Sequence, residues 1–596
     1  MRVRAILFAA LIFAAPAFAD DQATALKRGF QLLDAWRVDE ARSIAESLWA
    51  RSPEDGSVLA LIAEVKLHMS DYEGAASFYE KARDAGAPEV LTRNASLALA
   101  ARAATQGYAE TVTERFVIRY SIGKDEILVP YAEETLEKAL ASLSDLLGWK
   151  PSGRIVVELY PSASTLADVS TLTREEIKNS GTIALCKWNR LMVTTPRAVV
   201  FGYHWRDTLA HELAHLVIGG ASKNTVPIWL HEGIAKFVET SWRGAPGLGL
   251  PIESQRSLAD AAKKGKLIPF ARMHPSMAKL KNQEETSLAF AEVFTFVEYL
   301  VELKGWESMR GVLAKMAEGE SDAQAIEHVF GVPLTTLSDQ WMASLKNRKI
   351  KVEGVEQGAD RKVVIKDKSD APDDALHGVS KEGRRYARAA DLLFSRGRSK
   401  AAQVELEKAV KASSAPLLEA KLAVVALANG DLVAAERAAR GALAGNNDLA
   451  GPHVTLAEIL IRGKNPAAAI EPLQGALAVN PFDPRIHELL LRAGKDDPTI
   501  STRAKAAIRV LQAPKKTAPA LGTGGIVIVE GLPFSRVFVD DVATGLVTPT
   551  AELELSPGKH KLRLVPPIGP AIERDVVVDA NKGPAPQRLA PDMRGS

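Results

Sequence analysis

His211-Glu212-Leu213-Ala214-His215 is the stretch that decides how the middle of this sequence folds. Histidines four positions apart lie on one face of an α-helix, one turn from each other, so both imidazoles can reach a single ion. Glu212 is displaced around the helix, where its carboxylate can face a water on that ion without binding the ion itself. The spacing therefore predicts a helix with His211 and His215 as metal ligands and Glu212 as a base.

The residues around this motif favour a helix. Asp207 suits a first turn, where a negative charge interacts well with the helix N-terminus, and apolar residues recur at helical spacing as far as Leu216-Val217. Gly219-Gly220 predicts the end of the helix at this point, because glycine commonly follows the last helical turn.

A third ligand is expected because a catalytic zinc site generally has three protein ligands and one open position. A second helix is predicted downstream, with Pro227 suited to its first turn. Glu232 on that helix lies 17 positions after His215 (232 − 215), which leaves room for a loop to return the chain. The sequence thus predicts a His2Glu zinc site formed by His211, His215 and Glu232.

Residues 108–346 around the motif are predicted to form an α+β domain with its sheet early and its helices late. Strands are expected at 116–120 and 155–159, separated by an amphipathic helix at about 131–147. Residues 183–193 are a third strand or a hairpin that turns at Trp188-Asn189. Mostly helical segments follow over 207–345.

Two further regions carry repeated helix pairs. In residues 20–107, Ala41 and Ala75 are 34 residues apart at matching points of two helix-turn-helix patterns. In residues 383–511, glycines recur every 33 residues, each before an Ala-rich helix: Gly397, Gly430 and Gly463. Small residues at such periods let paired helices approach closely, and both regions resemble tetratricopeptide repeats. We expect two all-α solenoids that bind protein partners of the cell envelope.

A small all-β domain is predicted at residues 525–596, after polar linkers at 347–382 and 512–524. Its strands are expected at 526–529, 537–539, 562–564 and 576–578. This region resembles the PEGA domain, a short β module of envelope proteins. The resemblance rests on Phe538-Val539-Asp540-Asp541, Gly545, Thr548-Pro549 and Ser556-Pro557-Gly558-Lys559-His560.

The central region, from Phe116 to about Leu345, resembles the gluzincin peptidases of the thermolysin-like clan. The resemblance rests on the H-E-x-x-H stretch together with a Pro-x-Trp-Leu-x-Glu-Gly-x-Ala segment at 227–235. It implies that His211, His215 and Glu232 bind Zn2+ and that Glu212 is the general base. It also implies that the strand region 183–193 borders the cleft, where an extended substrate adds as another strand.

The chain departs from that family where a histidine-orienting acid is often found, four residues after the third ligand. Lys236 stands there. Asp207 and Glu239 are the alternatives for orienting a zinc histidine, and a helix-dipole or solvent contact is the structural alternative for each.

A second departure concerns the oxyanion. Phe290 stands where related families have a Tyr that steadies the developing oxyanion. His231, Tyr203 and His204 are alternatives, and each is also interpretable as an ordinary packing or surface residue. No donor is assigned. We further expect Cys186 to be a buried strand residue and Trp229 to belong to the helix core.

The whole chain is predicted to be an exported protein of several domains. Its 596 residues are more than one hydrophobic core supports, and 75 basic against 73 acidic residues give no electrostatic indication of nucleic-acid binding.

A signal peptide is predicted at residues 1–19 from Arg2 and Arg4, the apolar run 5–15 and Ala17-Phe18-Ala19. This run is shorter than the roughly 20 residues that a membrane-spanning helix needs, and no comparable apolar run occurs later. The single cysteine excludes an intramolecular disulfide. A periplasmic or envelope location, or release outside the cell, is expected.

The predicted function is zinc-dependent hydrolysis of peptide bonds in a protein or peptide substrate, by a zinc-bound water with Glu212 as general base and endopeptidase as the expected type. The alternative is a non-catalytic envelope scaffold in which the repeats bind partners and the peptidase-like domain is vestigial. Phe290 favours that alternative, whereas the presence of Glu212 opposes it.

Overall fold

The computed structural model describes residues 15–200, 202–248, 250–347, 379–512, 525–529, 536–547, 551–565, 571–578 and 587–589. The chain forms two compact units, residues 1–511 and 512–596. It is multidomain and mostly helical, with one small mixed sheet in the first unit and β-structure in the second. The first 14 residues of the predicted signal and nearly all of both predicted linkers lie outside the described residues. The finer domain boundaries stay predictions.

Helix pairs form the N-terminal region. Ala41 and Ala75 are completely buried where neighbouring helices meet, and the Asp55 and Asp71 carboxylates cap the third and fourth helices by accepting backbone N–H groups. The helices are α1 (Ala15–Asp34), α2 (Val38–Arg51), α3 (Gly56–His68), α4 (Tyr72–Asp84) and α5 (Ala95–Thr105). Within the described part of the chain, no helix has the length and apolar character that a bilayer span requires.

A five-stranded mixed sheet follows, in the order β1-β2-β3-β5-β4. Strands β2, β3 and β5 are parallel, and β1 and β4 are antiparallel edge strands. The elements of this region are β1 (Ala109–Val112), β2 (Phe116–Tyr120), α6 (Val129–Leu147), β3 (Ile155–Tyr160), α7 (Ala163–Val169), α8 (Arg174–Ser180), β4 (Ala184–Lys187) and β5 (Arg190–Thr194). The strands predicted at 116–120 and 155–159 and the helix between them are confirmed, whereas β1 was not predicted.

The hairpin interpretation of residues 183–193 is also confirmed. Trp188 and Asn189 connect β4 to β5, and both have positive φ, 53° and 57°. Two consecutive left-handed residues form the tight turn whose twist matches that of paired antiparallel strands. The turn places β4 at the sheet edge beside the helix that carries the H-E-x-x-H stretch.

The N-terminal helices pack on this sheet through a buried polar network. The Tyr72 hydroxyl on α4 contacts both the Glu158 carboxylate on β3 and the Arg190 guanidinium on β5. Tyr160 adds a hydroxyl bond of 2.6 Å to Glu158. All four side chains are buried, so each charge depends on the others for compensation. This face of the N-terminal repeats is therefore occupied by the chain itself.

Seven helices complete the central region: α9 (Trp205–Ser222), α10 (Ile228–Val238), α11 (Ile252–Lys264), α12 (Gln283–Lys304), α13 (Glu307–Ala317), α14 (Asp322–Phe330) and α15 (Leu334–Asn347). The predicted helix end at Gly219-Gly220 is wrong, because α9 continues to Ser222. A Cβ on Gly220 would lie 2.4 Å from the Trp149 ring, and one on Gly219 would lie 3.3 Å from the Trp36 ring. The two glycines therefore lie within α9, where the absence of a side chain leaves space for the two tryptophan rings.

Eight helices form the C-terminal repeats: α16 (Lys381–Ser395), α17 (Ser399–Ala412), α18 (Pro416–Ala428), α19 (Leu432–Gly445), α20 (Ala450–Arg462), α21 (Ile470–Val479), α22 (Pro484–Ala493) and α23 (Pro498–Leu511). Gly397 and Gly430 have positive φ between paired helices, as turns after a helix require. In the third pair Lys464, not Gly463, is left-handed.

The last repeats share a core with the central region and hold the start of α9. The backbone N–H of Tyr203 donates to the Val479 carbonyl (3.2 Å), and the Trp205 indole donates to the Leu477 carbonyl (3.1 Å). A Cβ on Gly202 would lie 2.3 Å from the Val479 oxygen, so only glycine fits there. Helices α16–α19 instead bury their apolar residues mainly among themselves.

The second unit contains the predicted β-strands. They form one sheet of order β11-β10-β7-β8 and one of order β12-β6-β9. The strands are β6 (Gly525–Val529), β7 (Arg536–Val539), β8 (Val542–Val547), β9 (Ala551–Leu555), β10 (Gly558–Val565), β11 (Ile572–Val578) and β12 (Gln587–Leu589). Asp540 and Asp541 form the left-handed β7–β8 turn, and His560 contacts Asp540 at 2.8 Å. Thr548-Pro549 lies outside the described residues.

Candidate metal centre

The three predicted ligands come together between two packed helices. His211 and His215 lie one turn apart on α9, and Glu232 lies on α10. The Nε2 atoms of the two histidines are 3.1 Å apart, and they lie 3.3 and 3.4 Å from Glu232 Oε2. Three potential ligand atoms therefore form a nearly equilateral triangle.

The triangle and its donor set fit a zinc ion. Ligand atoms about 2.1 Å from zinc at a tetrahedral angle are about 3.4 Å apart, close to the three separations found here. Two imidazoles and one carboxylate are a ligand set of catalytic zinc sites that keep a position open for water or substrate. Within the described residues, these three are the only cluster of metal-ligating side chains that meets this geometry.

Glu239, the residue after α10, lies against the Nδ1 side of His211. Its Oε2 atom lies 3.1 Å from His211 Nδ1, and its Oε1 atom accepts a bond of 2.5 Å from Lys236 Nζ. Burial alone lowers the pKa of His211, but hydrogen bonds to Glu232 and Glu239 outweigh burial and raise it to about 10. Lys236 stands in the position of the expected acid. It binds the carboxylate of Glu239, three residues later, and that carboxylate contacts His211 Nδ1.

Asp207, the other alternative for this role, has different partners. Its carboxylate accepts two bonds of 2.9 Å from the Arg243 guanidinium and one of 2.9 Å from the Trp242 indole. Asp207 therefore connects the start of α9 to the segment after α10. Between the two acids considered from the sequence, the structure favours Glu239 for orienting a ligand histidine.

His215 has a different neighbour. Its Nδ1 atom lies 2.6 Å from Nδ1 of His231, the residue that precedes Glu232 on α10. Burial, followed by the charge of His215, lowers the pKa of His231 to about 3, so this imidazole is neutral near pH 7. Sequence reasoning considered His231 either as an oxyanion donor or as an ordinary packing or surface residue, and not as a neighbour of His215. The contact arises because α9 and α10 pack side by side, which spacing along the chain does not reveal.

Glu212 has the environment of a general base. Its side chain is buried, and Oε2 has no hydrogen-bond partner among the described residues. Burial raises the pKa of Glu212, the histidines partly oppose that rise, and the backbone N–H of Cys186 on β4 interacts with the carboxylate. A buried acceptor without a hydrogen-bond donor lowers the stability of the fold. A water on the adjacent ion would supply that donor.

Two of the alternative oxyanion donors are engaged elsewhere. The Tyr203 hydroxyl donates to the Thr194 carbonyl, and His204 Nε2 lies 3.2 Å from Asp448 Oδ1 in the C-terminal repeats. Phe290 places its ring 6.2 Å, centroid to centroid, from His211 and has no hydroxyl to donate.

Trp229 is a buried core residue as expected, whereas Cys186 lies on a strand as expected but is only half-buried. Trp229 is buried, stacks on Phe270 at a centroid distance of 4.5 Å, and donates to Asp322 at 2.9 Å. Cys186 lies on β4 and is half-buried, with a thiol pKa that burial raises. Neither side chain belongs to the ligand cluster.

Two protein-family models match parts of the chain. A model described as "Peptidase MA superfamily" matches residues 135–347, and one described as "Tetratricopeptide repeat" matches residues 426–493. No curated protein matches the chain.

Three solved structures illustrate how distant the whole-chain similarities are. Yeast LTA4 hydrolase in complex with bestatin is 12% identical over 67% of this chain and 67% of that chain, with a TM-score of 0.27. The APC/C hetero-tetramer Cut9-Hcn1 is 14% identical over 82% and 93%, with a TM-score of 0.21. Yeast Tom70 is 10% identical over 84% and 98%, with a TM-score of 0.17. By the two family matches, the chain contains a Peptidase MA superfamily domain at residues 135–347 and tetratricopeptide repeats at 426–493.

Proposed function

We propose that this protein is a zinc-dependent peptidase of the gluzincin type, with His211, His215 and Glu232 as zinc ligands. The observation that carries the proposal is the triangle of ligand atoms, 3.1–3.4 Å on each side, next to a buried carboxylate with an unpartnered oxygen. A structural zinc site usually has four protein ligands, whereas this set leaves a position open.

Bound zinc would supply a Lewis acid that polarises the scissile carbonyl and lowers the pKa of a water toward about 7. Glu212 would accept the proton of that water and later donate it to the leaving amine. Glu239 and His231 would hold the ligand rings in place.

The edge strand β4 supports binding of an extended peptide. Among the strands that the structure describes, it pairs only with β5, and its Cys186 N–H reaches Glu212. A substrate added to β4 as a further strand would run beside the metal, with main-chain bonds providing affinity. We propose cleavage within chains, because a strand bound along an open edge has no need of a free terminus.

The location and partners are part of the same proposal. The N-terminal sequence supports export to the periplasm or envelope, and the PEGA-like pattern of the second unit supports an envelope role. Among the repeats, α16–α19 are the better candidates for partner binding. Their apolar residues pack mainly among themselves, whereas the N-terminal repeats cover the sheet.

A non-catalytic envelope scaffold remains the second candidate, and Phe290 is the observation that favours it. The ring beside His211 lacks the hydroxyl of a Tyr, and the Tyr203 hydroxyl is engaged by Thr194. A scaffold would need neither a base nor an oxyanion donor. Glu212 therefore distinguishes the two functions.

The test is Glu212→Gln, which keeps the shape of the side chain and removes its basicity. Glu302→Gln, at an exposed position on α12, is the matched control. Each zinc-loaded protein is incubated with a proteome-derived peptide library, and new termini are counted by mass spectrometry. We expect cleavage by the wild type and the control, and a loss of at least about 100-fold in Glu212→Gln with zinc retained. Equal cleavage by all three would refute the assignment of Glu212.

A further inference from the structure

The two ligand histidines are held by chemically different partners. His211 Nδ1 faces a carboxylate oxygen of Glu239 at 3.1 Å, whereas His215 Nδ1 faces another imidazole nitrogen, Nδ1 of His231, at 2.6 Å. Histidine ligands of metals almost always donate their second ring N–H to a carboxylate, a carbonyl or a water. His215, whose second ring nitrogen faces an imidazole, therefore differs from most histidine ligands of metals.

The contact is an in-plane hydrogen bond and not a stack of ring faces. The ring centroids are 4.7 Å apart and the ring planes differ by 10°, but the two Nδ1 atoms are only 2.6 Å apart. Atoms in two rings stacked face to face stay at van der Waals separation, about 3.5 Å. The rings must therefore meet edge to edge, with both nitrogens between the ring centres.

The proton in this bond has one consistent position once His215 binds a metal through Nε2. That nitrogen must carry no hydrogen, so the neutral ring carries its hydrogen on Nδ1. His215 Nδ1 is then the donor, and His231 Nδ1 is the acceptor. His231 in turn carries its hydrogen on Nε2.

We propose that His231 is a positioning residue, which accepts a hydrogen bond from His215 and thereby holds its Nε2 toward zinc. This inference rests on the proposed zinc site. It gives His231 Nδ1 a role that the sequence did not indicate, that of hydrogen-bond acceptor for a neighbouring histidine.

The packing of α10 supports this role. A Cβ on Gly233 would lie 2.8 Å from the Val293 carbonyl oxygen on α12, so the two helices approach too closely for a side chain at this position. Such an approach restricts rotation of α10 about its axis. His231 and Glu232, adjacent on that helix, are thereby presented together to the two histidines of α9.

The experiment compares His231→Phe, which keeps a planar ring but has no acceptor, with His231→Gln, whose amide oxygen can accept. His328→Phe, an exposed histidine on α14, is the control for the substitution itself. Zinc dissociation constants of the full chain are measured by competition with a chromophoric chelator. The melting temperatures of the metal-free proteins report structural damage separately.

We expect His231→Phe to weaken zinc binding by about 10- to 100-fold, with His231→Gln recovering most of the loss. The visible spectrum of the Co2+-substituted protein should change in the Phe variant and not in the control. Unchanged zinc affinity in His231→Phe would overturn the proposal, and so would an equal loss in the Phe and Gln variants. If the wild type binds no zinc, the proposed function itself fails, which is a different outcome.

Discussion

Glu292→Gln should make the stability of the protein less dependent on pH. Glu292 lies on α12 with no exposed surface, and its two carboxylate oxygens accept bonds of 2.9 and 3.1 Å from the backbone N–H of Ile268. Burial raises the pKa of Glu292 from 4.5 to about 8, and the bond from Ile268 opposes that rise only in part. The folded protein therefore holds a proton that the unfolded chain releases.

The size of the effect follows from the two pKa values. A raised folded pKa contributes stability that is fully present below about pH 4.5 and is lost as the pH rises through about 8. Compared with a Glu292 that stayed ionised, protonation in the folded state adds about 3 kcal/mol to the free energy of unfolding at about pH 5.5. At about pH 7.5 it adds about 1 kcal/mol. The wild type should thus lose about 2 kcal/mol between these pH values through Glu292 alone.

Differential scanning calorimetry of wild type and variant at both pH values measures this loss. For a unit of about 500 residues, about 2 kcal/mol corresponds to a melting-temperature change of about 2 °C. The wild type should lose that much more than Glu292→Gln on going from about pH 5.5 to about pH 7.5. Glu302→Gln, exposed on the same helix, controls for the removal of a charge. An identical pH response of wild type and Glu292→Gln would refute the reasoning.

Two further substitutions test other contacts. Gly202→Ala should lower the melting temperature more than Gly107→Ala, because both positions have positive φ (79° and 77°) but only at Gly202 would a Cβ meet Val479, at 2.3 Å. The shared left-handed conformation costs about 1 kcal/mol and the overlap about 2 kcal/mol more, so equal melting temperatures would contradict the close approach. Glu239→Gln should weaken zinc binding about tenfold in chelator competition, because a neutral amide orients His211 less strongly than a carboxylate. An unchanged zinc affinity would show that Glu239 does not act on the ligand.

Short-range spacing was sufficient to predict the ligand triangle and the hairpin beside it. A helix places residues four apart on one face, so the positions of His211 and His215 relative to each other are a local property. The Trp188-Asn189 turn is equally local, because the tight turn depends on the conformation of two residues. Glu232 required only that a second helix return alongside the first.

Contacts that depend on helix packing could not be predicted in this way. The sequence presents Gly219-Gly220 as a helix end, but the Trp149 ring that makes glycine necessary lies 71 positions earlier (220 − 149). His231 faces His215 only because α10 packs with a particular rotation against α9. The contacts of Tyr72 with Glu158 and Arg190 could not be predicted for the same reason. They show that the N-terminal repeats cover the five-stranded sheet.

The most direct test of the central claim is the zinc content of purified residues 20–596, measured by inductively coupled plasma mass spectrometry after metal-replete purification. We predict about one zinc per chain in the wild type and a loss of that zinc in both His211→Ala and Glu232→Ala. His328→Ala should retain it. A wild-type protein without zinc, or zinc that persists in both ligand variants, would contradict the account.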